Sequence, residues 1–315
     1  MKWKELRHNG VAFPPTYEPK GLQINIRGET VRLSPDAEEM AYAWGKKRTT
    51  PYVQDPVFQT NFLSDFVKVL PNKFGDAKYP EINFSPVYEY LSKEELLKSD
   101  KELKKKVAAQ RKELRLQLKE KYGYAIIDGT KTEFANYMVE PPSIFMGRGS
   151  HPMRGRWKPR VFPEDVVLNL SEDAPVPPGR WKEIVHDHES IWLAYWVDKL
   201  SQVRKYVWPS DISDLRQERD KMKYDNAKKL RRKLSDVREF IEKNLRSPDV
   251  KVRKLATVSH LIDNLAMRVG DEKEEDEADT VGASTLRVEH VKFLPGASSL
   301  TFSEKTACDG RRRSR

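Results

Sequence analysis

The chain has 315 residues, 34% of them charged, and a formal charge of +10. It holds no apolar run of the roughly 18 residues a membrane span needs, and its N-terminus has no apolar stretch of signal-peptide length. The single cysteine, Cys308, excludes a disulfide framework and a cysteine zinc site, and fits a reducing compartment. Seven Trp, 12 Tyr and 12 Phe supply apolar bodies for packed cores, so the high charge does not read as disorder. The positive balance points to a polyanionic partner and leaves DNA, RNA and an acidic membrane surface open.

In chain order, Leu22-Gln23-Ile24-Asn25-Ile26 and Val31-Arg32-Leu33 alternate about a turn at Arg27-Gly28-Glu29, which predicts a hairpin. Ser34 then reads as an N-cap, with Pro35 opening a helix whose first turn is acidic. Asn61 to Phe66 gives a second short helical face. Ser92-Lys93-Glu94-Glu95 reads as a capping box for one long helix over residues 92–121, ending near Gly123. Its apolar stripe is thin, and Lys/Arg outnumber Asp/Glu eleven to six, so it is predicted to be a solvated connector. Tyr124 to Ile127, Val166 to Leu170 and Ile191 to Trp196 read as strands, with a polar turn at His186-Asp187-His188-Glu189. Beyond residue 213 the pattern is helical and basic, broken at Ser247-Pro248-Asp249. The run His260 to Val269 reads as an apolar helix stopped by Gly270, and the segment 271–279 is acidic.

Two places could carry chemistry. Residues 141–160 hold five Arg/Lys and no acid, with Gly and Pro at a density that forbids a helix. Such a loop is either solvated or suited to a nucleic-acid groove, where Arg inserts and Lys meets phosphate. Arg268, placed by the pattern in the last turn of a helix, either complements the helix dipole or holds a phosphate. The acids from Asp271 point in different directions and read as a solvated turn rather than a metal site. His186, His188 and His260 lack metal-ligand spacing. No phosphate loop, nucleophile elbow or zinc-protease motif occurs, so ATP use, serine hydrolysis and zinc chemistry find no support.

At these residues the sequence resembles the eukaryotic type IB topoisomerases. The resemblance is carried by Pro14-Pro15-Thr16-Tyr17-Glu18-Pro19, Leu33-Ser34-Pro35-Asp36-Ala37-Glu38-Glu39 and Ala135-Asn136-Tyr137-Met138-Val139-Glu140-Pro141-Pro142. It continues through Gly147-Arg148-Gly149-Ser150-His151-Pro152, Trp181-Lys182-Glu183-Ile184-Val185-His186-Asp187, Lys205-Tyr206 and Arg268-Val269-Gly270-Asp271-Glu272-Lys273, to Leu286-Arg287-Val288-Glu289-His290. It implies an α+β fold: a bilobed DNA clamp with a β-rich N-terminal lobe and long connector helices, followed by the start of a mainly helical catalytic subdomain. The implied divisions are a DNA-binding region over residues 1–212, the beginning of the catalytic core over 213–294, and a divergent, disordered tail over 295–315. The implied partner is duplex DNA, with no metal or ATP cofactor, and the implied location is the nucleus, with the kinetoplast or mitochondrion as an additional one.

Carried over position by position, Arg268 matches the family's first catalytic Arg. Arg148 matches an Arg that enters the minor groove beside the cleavage site, and is expected to converge with Arg268 on one scissile phosphate. Trp192, Lys205, Tyr206, Lys223, Gly270, Asp271, Glu272, Lys273 and Thr280 match further DNA-contact segments, while His151 and Lys158 fall in the loop lining the same channel. After Leu294 the match to the family's lysine hairpin is lost, and its second Arg, His and nucleophilic Tyr are not found. The chain alone is therefore expected to bind DNA without cutting it. One source of a Tyr is a separate small subunit, as in the kinetoplastid enzymes, whose large subunits this chain resembles. Another is the reading frame: with one permitted choice of codons, residues 301–310 read from the last base of each codon give Phe-Leu-Gly-Lys-Asp-Ser-Met-Arg-Trp, similar to the lysine hairpin. Sequencing the coding DNA checks that expectation. A non-catalytic nucleic-acid-binding or scaffold protein is the alternative reading.

Overall fold

The computed structural model describes residues 2–97, 100–147, 149, 151–211, 213–271, 280–294, 297–303 and 309–314. The elements in chain order begin with β1 (Leu6–His8), β2 (Gln23–Ile26), β3 (Glu29–Arg32), α1 (Pro35–Gly45), α2 (Pro56–Phe66), β4 (Ile82–Asn83), α3 (Ser85–Leu97) and α4 (Lys101–Tyr122). There follow β5 (Tyr124–Ile127), β6 (Thr130–Glu133), β7 (Ser143–Ile144), β8 (Trp157–Lys158), β9 (Val166–Asn169), β10 (Glu183–Val185), β11 (Ala194–Val197) and β12 (Arg204–Val207). The last group is α5 (Asp214–Arg232), α6 (Leu234–Asn244), α7 (Val250–Leu265), β13 (Val291–Leu294), β14 (Ala297–Ser303) and β15 (Asp309–Ser314). The class is α+β, as the sequence implies. Residues divide into two compact units: Met1–Met146 with Gly155–Arg219, and Gly147–Arg154 with Asp220–Arg315.

The first unit has two cores. In one, the three-stranded sheet β3-β2-β4 packs with α1, α2 and α3. Arg27 (φ 52°) and Gly28 (φ 82°) both take positive φ, which is the two-residue turn that matches strand twist. The Ser34 hydroxyl caps α1 by accepting from the Ala37 N–H at 3.3 Å. Phe58, Phe62 and Phe66, four residues apart on α2, are fully buried, and Phe62 stacks on Trp44 at 4.4 Å. Each such ring contributes roughly 1.5–3 kcal/mol by leaving water. Glu38, from the acidic first turn, is buried; it accepts from the Leu22 and Lys20 backbone N–H groups and the Tyr17 hydroxyl, fastening the Pro-rich segment to α1.

The second core joins β1-β5-β6 to the four-stranded sheet β10-β9-β11-β12. Here Asp128 and Gly129 make another turn with positive φ, and Asp128 Oδ1 accepts from the backbone N–H groups of Lys4 and Glu5 at 2.8 and 2.7 Å. The strand predicted from Ile191 begins only at Ala194, because the buried Asn169 amide takes the Trp192 carbonyl at 3.2 Å.

Two expectations are corrected. The single helix over residues 92–121 is two helices: Asn83 Oδ1 accepts from the Ser85 N–H at 2.8 Å at the start of α3, and Asp100 caps α4 through the Glu102 N–H at 2.8 Å. Ser92 sits inside α3 with its hydroxyl donating to the Tyr88 carbonyl, while Val87 and Leu91 bury the helix face. The helix before Gly270 ends at Leu265, where Ala266 turns left-handed (φ 50°), so Arg268 is not in a helical turn. Strands β14 and β15 follow β13 in one sheet, with Leu300 buried among Met267, Val281 and Ala283.

Candidate nucleic-acid interface

The basic loop is less free than its composition suggests. Its strand β8 and flanks carry Arg156, Lys158 and Arg160, and each grips a carboxylate brought from elsewhere in the chain. Arg156 makes a two-pronged contact with Asp65 at 2.7 and 2.9 Å. Lys158 meets Glu140 and, at 2.8 Å, Asp198. Arg160 reaches Glu39 at 2.9 Å and also donates to the carbonyls of Pro14 and Pro15. Gly155 (φ 93°) lets the loop pass α2, since a Cβ there would stand 2.2 Å from the Phe58 carbonyl oxygen.

Burial raises the Asp65 carboxyl, but the Arg156 guanidinium, the Trp157 N–H and Lys68 together outweigh it and hold the group below its ordinary value. Asp198 behaves alike: burial pushes it up, while Lys158 and the Ser201 and Leu200 N–H groups bring it below. Burial disfavours the Lys158 ammonium, yet Asp198 and Glu140 hold its proton more tightly than usual. Lys158 is thus built into the first unit's frame. His151 Nδ1 accepts from the Met153 N–H at 3.1 Å, closing the turn 151–154. Arg148 lies outside the described residues, as do Glu272 and Lys273.

The other predicted contacts of the first unit cluster on the sheet. Tyr206 on the edge strand β12 pairs directly with Tyr195 on β11, their rings 5.4 Å apart. Trp192 stands edge-on to Tyr195 at 5.2 Å, and Trp208 continues the row 5.3 Å from Tyr206. Asn136 fixes the strand end from both sides: its amide donates to the Tyr206 carbonyl at 2.7 Å and its carbonyl accepts from the Trp208 N–H at 3.1 Å. Arg204 lies over the Tyr195 ring at 5.1 Å. Neither Arg204 nor the half-buried Lys205 meets a carboxylate among the described residues. Sequence reading missed Tyr195, Arg204 and Trp208; the alternation Arg204-Lys205-Tyr206-Val207-Trp208 was the available signal.

In the second unit, Arg268 is exposed and its guanidinium has no carboxylate partner among the described residues. Its backbone is fixed: the Arg268 carbonyl accepts from the Ala283 N–H at 2.8 Å and the Val269 carbonyl from the Ser284 N–H at 2.7 Å. Gly270 (φ 101°) and Gly282 make this possible, since a Cβ on Gly282 would stand 2.4 Å from the Gly270 nitrogen. Leaving the helix at Leu265 is what brings residues 268–269 to residues 283–284. Asp271 and Lys223 are exposed, Lys223 on a face of α5, and Thr280 is half-buried. Among the described residues there is no group of three or more metal-ligating side chains, and no helix is long and apolar enough to cross a membrane.

Residues 1–209 match the family model described as eukaryotic DNA topoisomerase I, DNA binding fragment, and residues 212–305 match its catalytic core. The chain belongs to the eukaryotic DNA topoisomerase I family. It is 40% identical over 304 residues to DNA topoisomerase 1 beta of Arabidopsis thaliana, which covers 93% of this chain and 32% of the relative. DNA topoisomerase 1 of Candidozyma auris is 38% identical (98% of this chain, 43% of the relative), and that of Homo sapiens 36% (94% and 40%). The chain therefore spans about a third to two-fifths of these topoisomerases' length. The boundary between the two matched regions falls at residues 209–212, just before α5.

Proposed function

We propose that this chain supplies the duplex-DNA grip and the first catalytic arginine of a type IB topoisomerase, acting in the nucleus. The observation that carries this reading is the pattern of unpaired cations. While Arg156, Lys158 and Arg160 are neutralised internally, Arg204, Lys205 and Arg268 meet no carboxylate among the described residues, and the last two coincide with family contact positions. Free cations on a fixed backbone suit phosphate oxygens, and a planar, always-charged guanidinium suits the non-bridging oxygens of a phosphodiester under attack.

In the whole protein a Tyr hydroxyl attacks the phosphorus, the P–O bond to the 5′ oxygen breaks, and a Lys protonates that leaving oxygen. The strand is then held as a 3′-phosphotyrosine, and reversal reseals it after rotation. Arg268, joined by the Arg148 loop, stabilises the added negative charge, worth about 2.7–4 kcal/mol of barrier by analogy with other oxyanion donors. The Lys, the second Arg and the His come from further chain, and the Tyr from further chain or from a small subunit of the kinetoplastid kind. No metal or nucleotide is required, because the phosphotyrosine conserves the bond energy.

The test is a plasmid assay. The purified chain is expected to retard supercoiled plasmid while leaving its linking number unchanged. An in-frame, full-length version supplied with a Tyr-bearing subunit is expected to relax it, and Arg268→Ala in that version to slow relaxation about 100-fold or more. Relaxation by the isolated chain overturns the division of labour; silence of the complete version overturns the enzyme reading.

A further inference from the structure

We propose that the outer face of β11–β12 is a stacking platform for unpaired DNA bases, formed by Tyr195, Tyr206 and Trp208 with Arg204 beside it. The proposal rests on the DNA-binding reading above and extends it from paired to unpaired strands. Strand alternation puts Ala194, Trp196 and Val207 into the second core, leaving Tyr195, Arg204, Tyr206 and Trp208 on the opposite face. Tyr195 and Tyr206 are half-buried, and Trp208 keeps 37% of its surface exposed.

A cross-strand aromatic pair can serve only to stabilise a sheet. Three features here exceed that role. The rings run in a continuous row, from Trp192 through Tyr195 and Tyr206 to Trp208, with neighbouring centroids 5.2–5.4 Å apart. The row crosses the outer face from the interior strand β11 to the edge strand β12. Arg204 flanks it without a carboxylate among the described residues, although Arg156, Lys158 and Arg160 of the same unit are neutralised.

A base within a duplex is already covered on both faces and offers no ring to an aromatic side chain. An unpaired base does, and a cation beside the ring meets its phosphate. Asn136 pins the backbone between Tyr206 and Trp208, so the two rings are positioned before any ligand arrives. The occupant assigned is therefore a short single-stranded DNA segment, such as a gap or a bubble in the gripped duplex.

The experiment measures anisotropy of labelled oligo-dT, oligo-rU and a paired duplex with the 315-residue chain. Tyr195→Ser with Trp208→Leu is expected to weaken oligo-dT binding about tenfold or more, with duplex affinity changed less than about twofold. Tyr195→Phe with Trp208→Phe keeps both rings and is expected to retain oligo-dT binding; loss in that variant overturns the stacking assignment. Arg204→Gln leaves the rings in place and is expected to lower the slope of log affinity against log salt on oligo-dT by about 0.7. Unchanged oligo-dT affinity in the Ser/Leu variant ends the proposal while leaving duplex binding intact. Tighter binding of oligo-rU than of oligo-dT overturns the choice of DNA. Failure of the wild-type chain to bind the duplex removes the underlying function, a separate outcome.

Discussion

At Lys158 the side chain's role is decided by partners 18 and 40 positions away. Glu140 and Asp198 take its charge, and Asp198, only 3% exposed, would keep just the Leu200 and Ser201 N–H groups at 3.0 Å without it. Lys158→Met is therefore expected to cost about 2 kcal/mol in urea unfolding, below the range for a fully buried pair, with duplex affinity nearly unchanged. The Asp198 carboxyl is depressed in the folded state, so its contribution is present above the unfolded carboxylate range and is lost as pH falls through the folded value. The acid limb of the stability curve should flatten in the variant. Composition over residues 141–160 could not show this, because the neutralising acids Asp65, Asp198 and Glu39 lie outside that window.

His8 gives a second pH prediction. It is buried, with Nε2 against the Asn169 carbonyl at 2.9 Å and Nδ1 accepting from the Gly10 N–H at 3.0 Å. Burial, the largest influence, lowers its pKa to about 4, and the two backbone contacts only partly offset this. The unfolded chain takes up the proton first, so stability is lost as pH falls from the ordinary histidine value near 6.5 towards 4. The loss amounts to roughly 3 kcal/mol. His8→Gln, compared with wild type in urea melts across that window, should remove most of the slope; equal slopes in the two proteins would refute the assignment.

Among elements, helices were legible wherever a cap and a buried face coincided. Ser34-Pro35 on α1 is such a case; the break read at Ser247-Pro248-Asp249 falls just before α7, and Gly123 ends α4 where the sequence places the stop. The reading failed where two signals competed. Ser92-Lys93-Glu94-Glu95 has the letters of a capping box, yet Val87 and Leu91 were already committed to the first core, which carries α3 through Ser92. The end of α7 failed for the opposite reason. His260 to Val269 keeps helical spacing, and only the distant backbone of residues 283–284 draws Arg268 and Val269 out of the helix. Helix α4 itself buries none of its described residues, so its stability is local. Asp100→Ala removes its cap and is expected to cost about 1 kcal/mol there. Amide exchange in the first turns of α4 should accelerate, while the global melting temperature stays within error; a full shift in global melting would show that α4 is packed after all.

Over the whole molecule, positive charge is unevenly shared. Residues 147–154 and 220–315 hold 24 Lys/Arg against 17 Asp/Glu, leaving a smaller excess, 34 against 31, for the remainder. Net charge attracts DNA at long range, but affinity at close range depends on cations able to displace counterions from phosphates. Cations already paired to carboxylates displace few. Lys205→Ala is accordingly expected to reduce the slope of log duplex affinity against log salt by about 1, and Arg268→Ala to do likewise. Lys158→Met and Arg156→Gln should leave that slope unchanged although each removes the same formal charge. Titration of the four variants against one duplex over a range of salt separates the two views. Equal slope changes in all four would mean that total charge governs binding and that the internal ion pairs open on contact with DNA. A division between Lys205 and Arg268 on one side and Lys158 and Arg156 on the other would place the grip on cations without a carboxylate among the described residues.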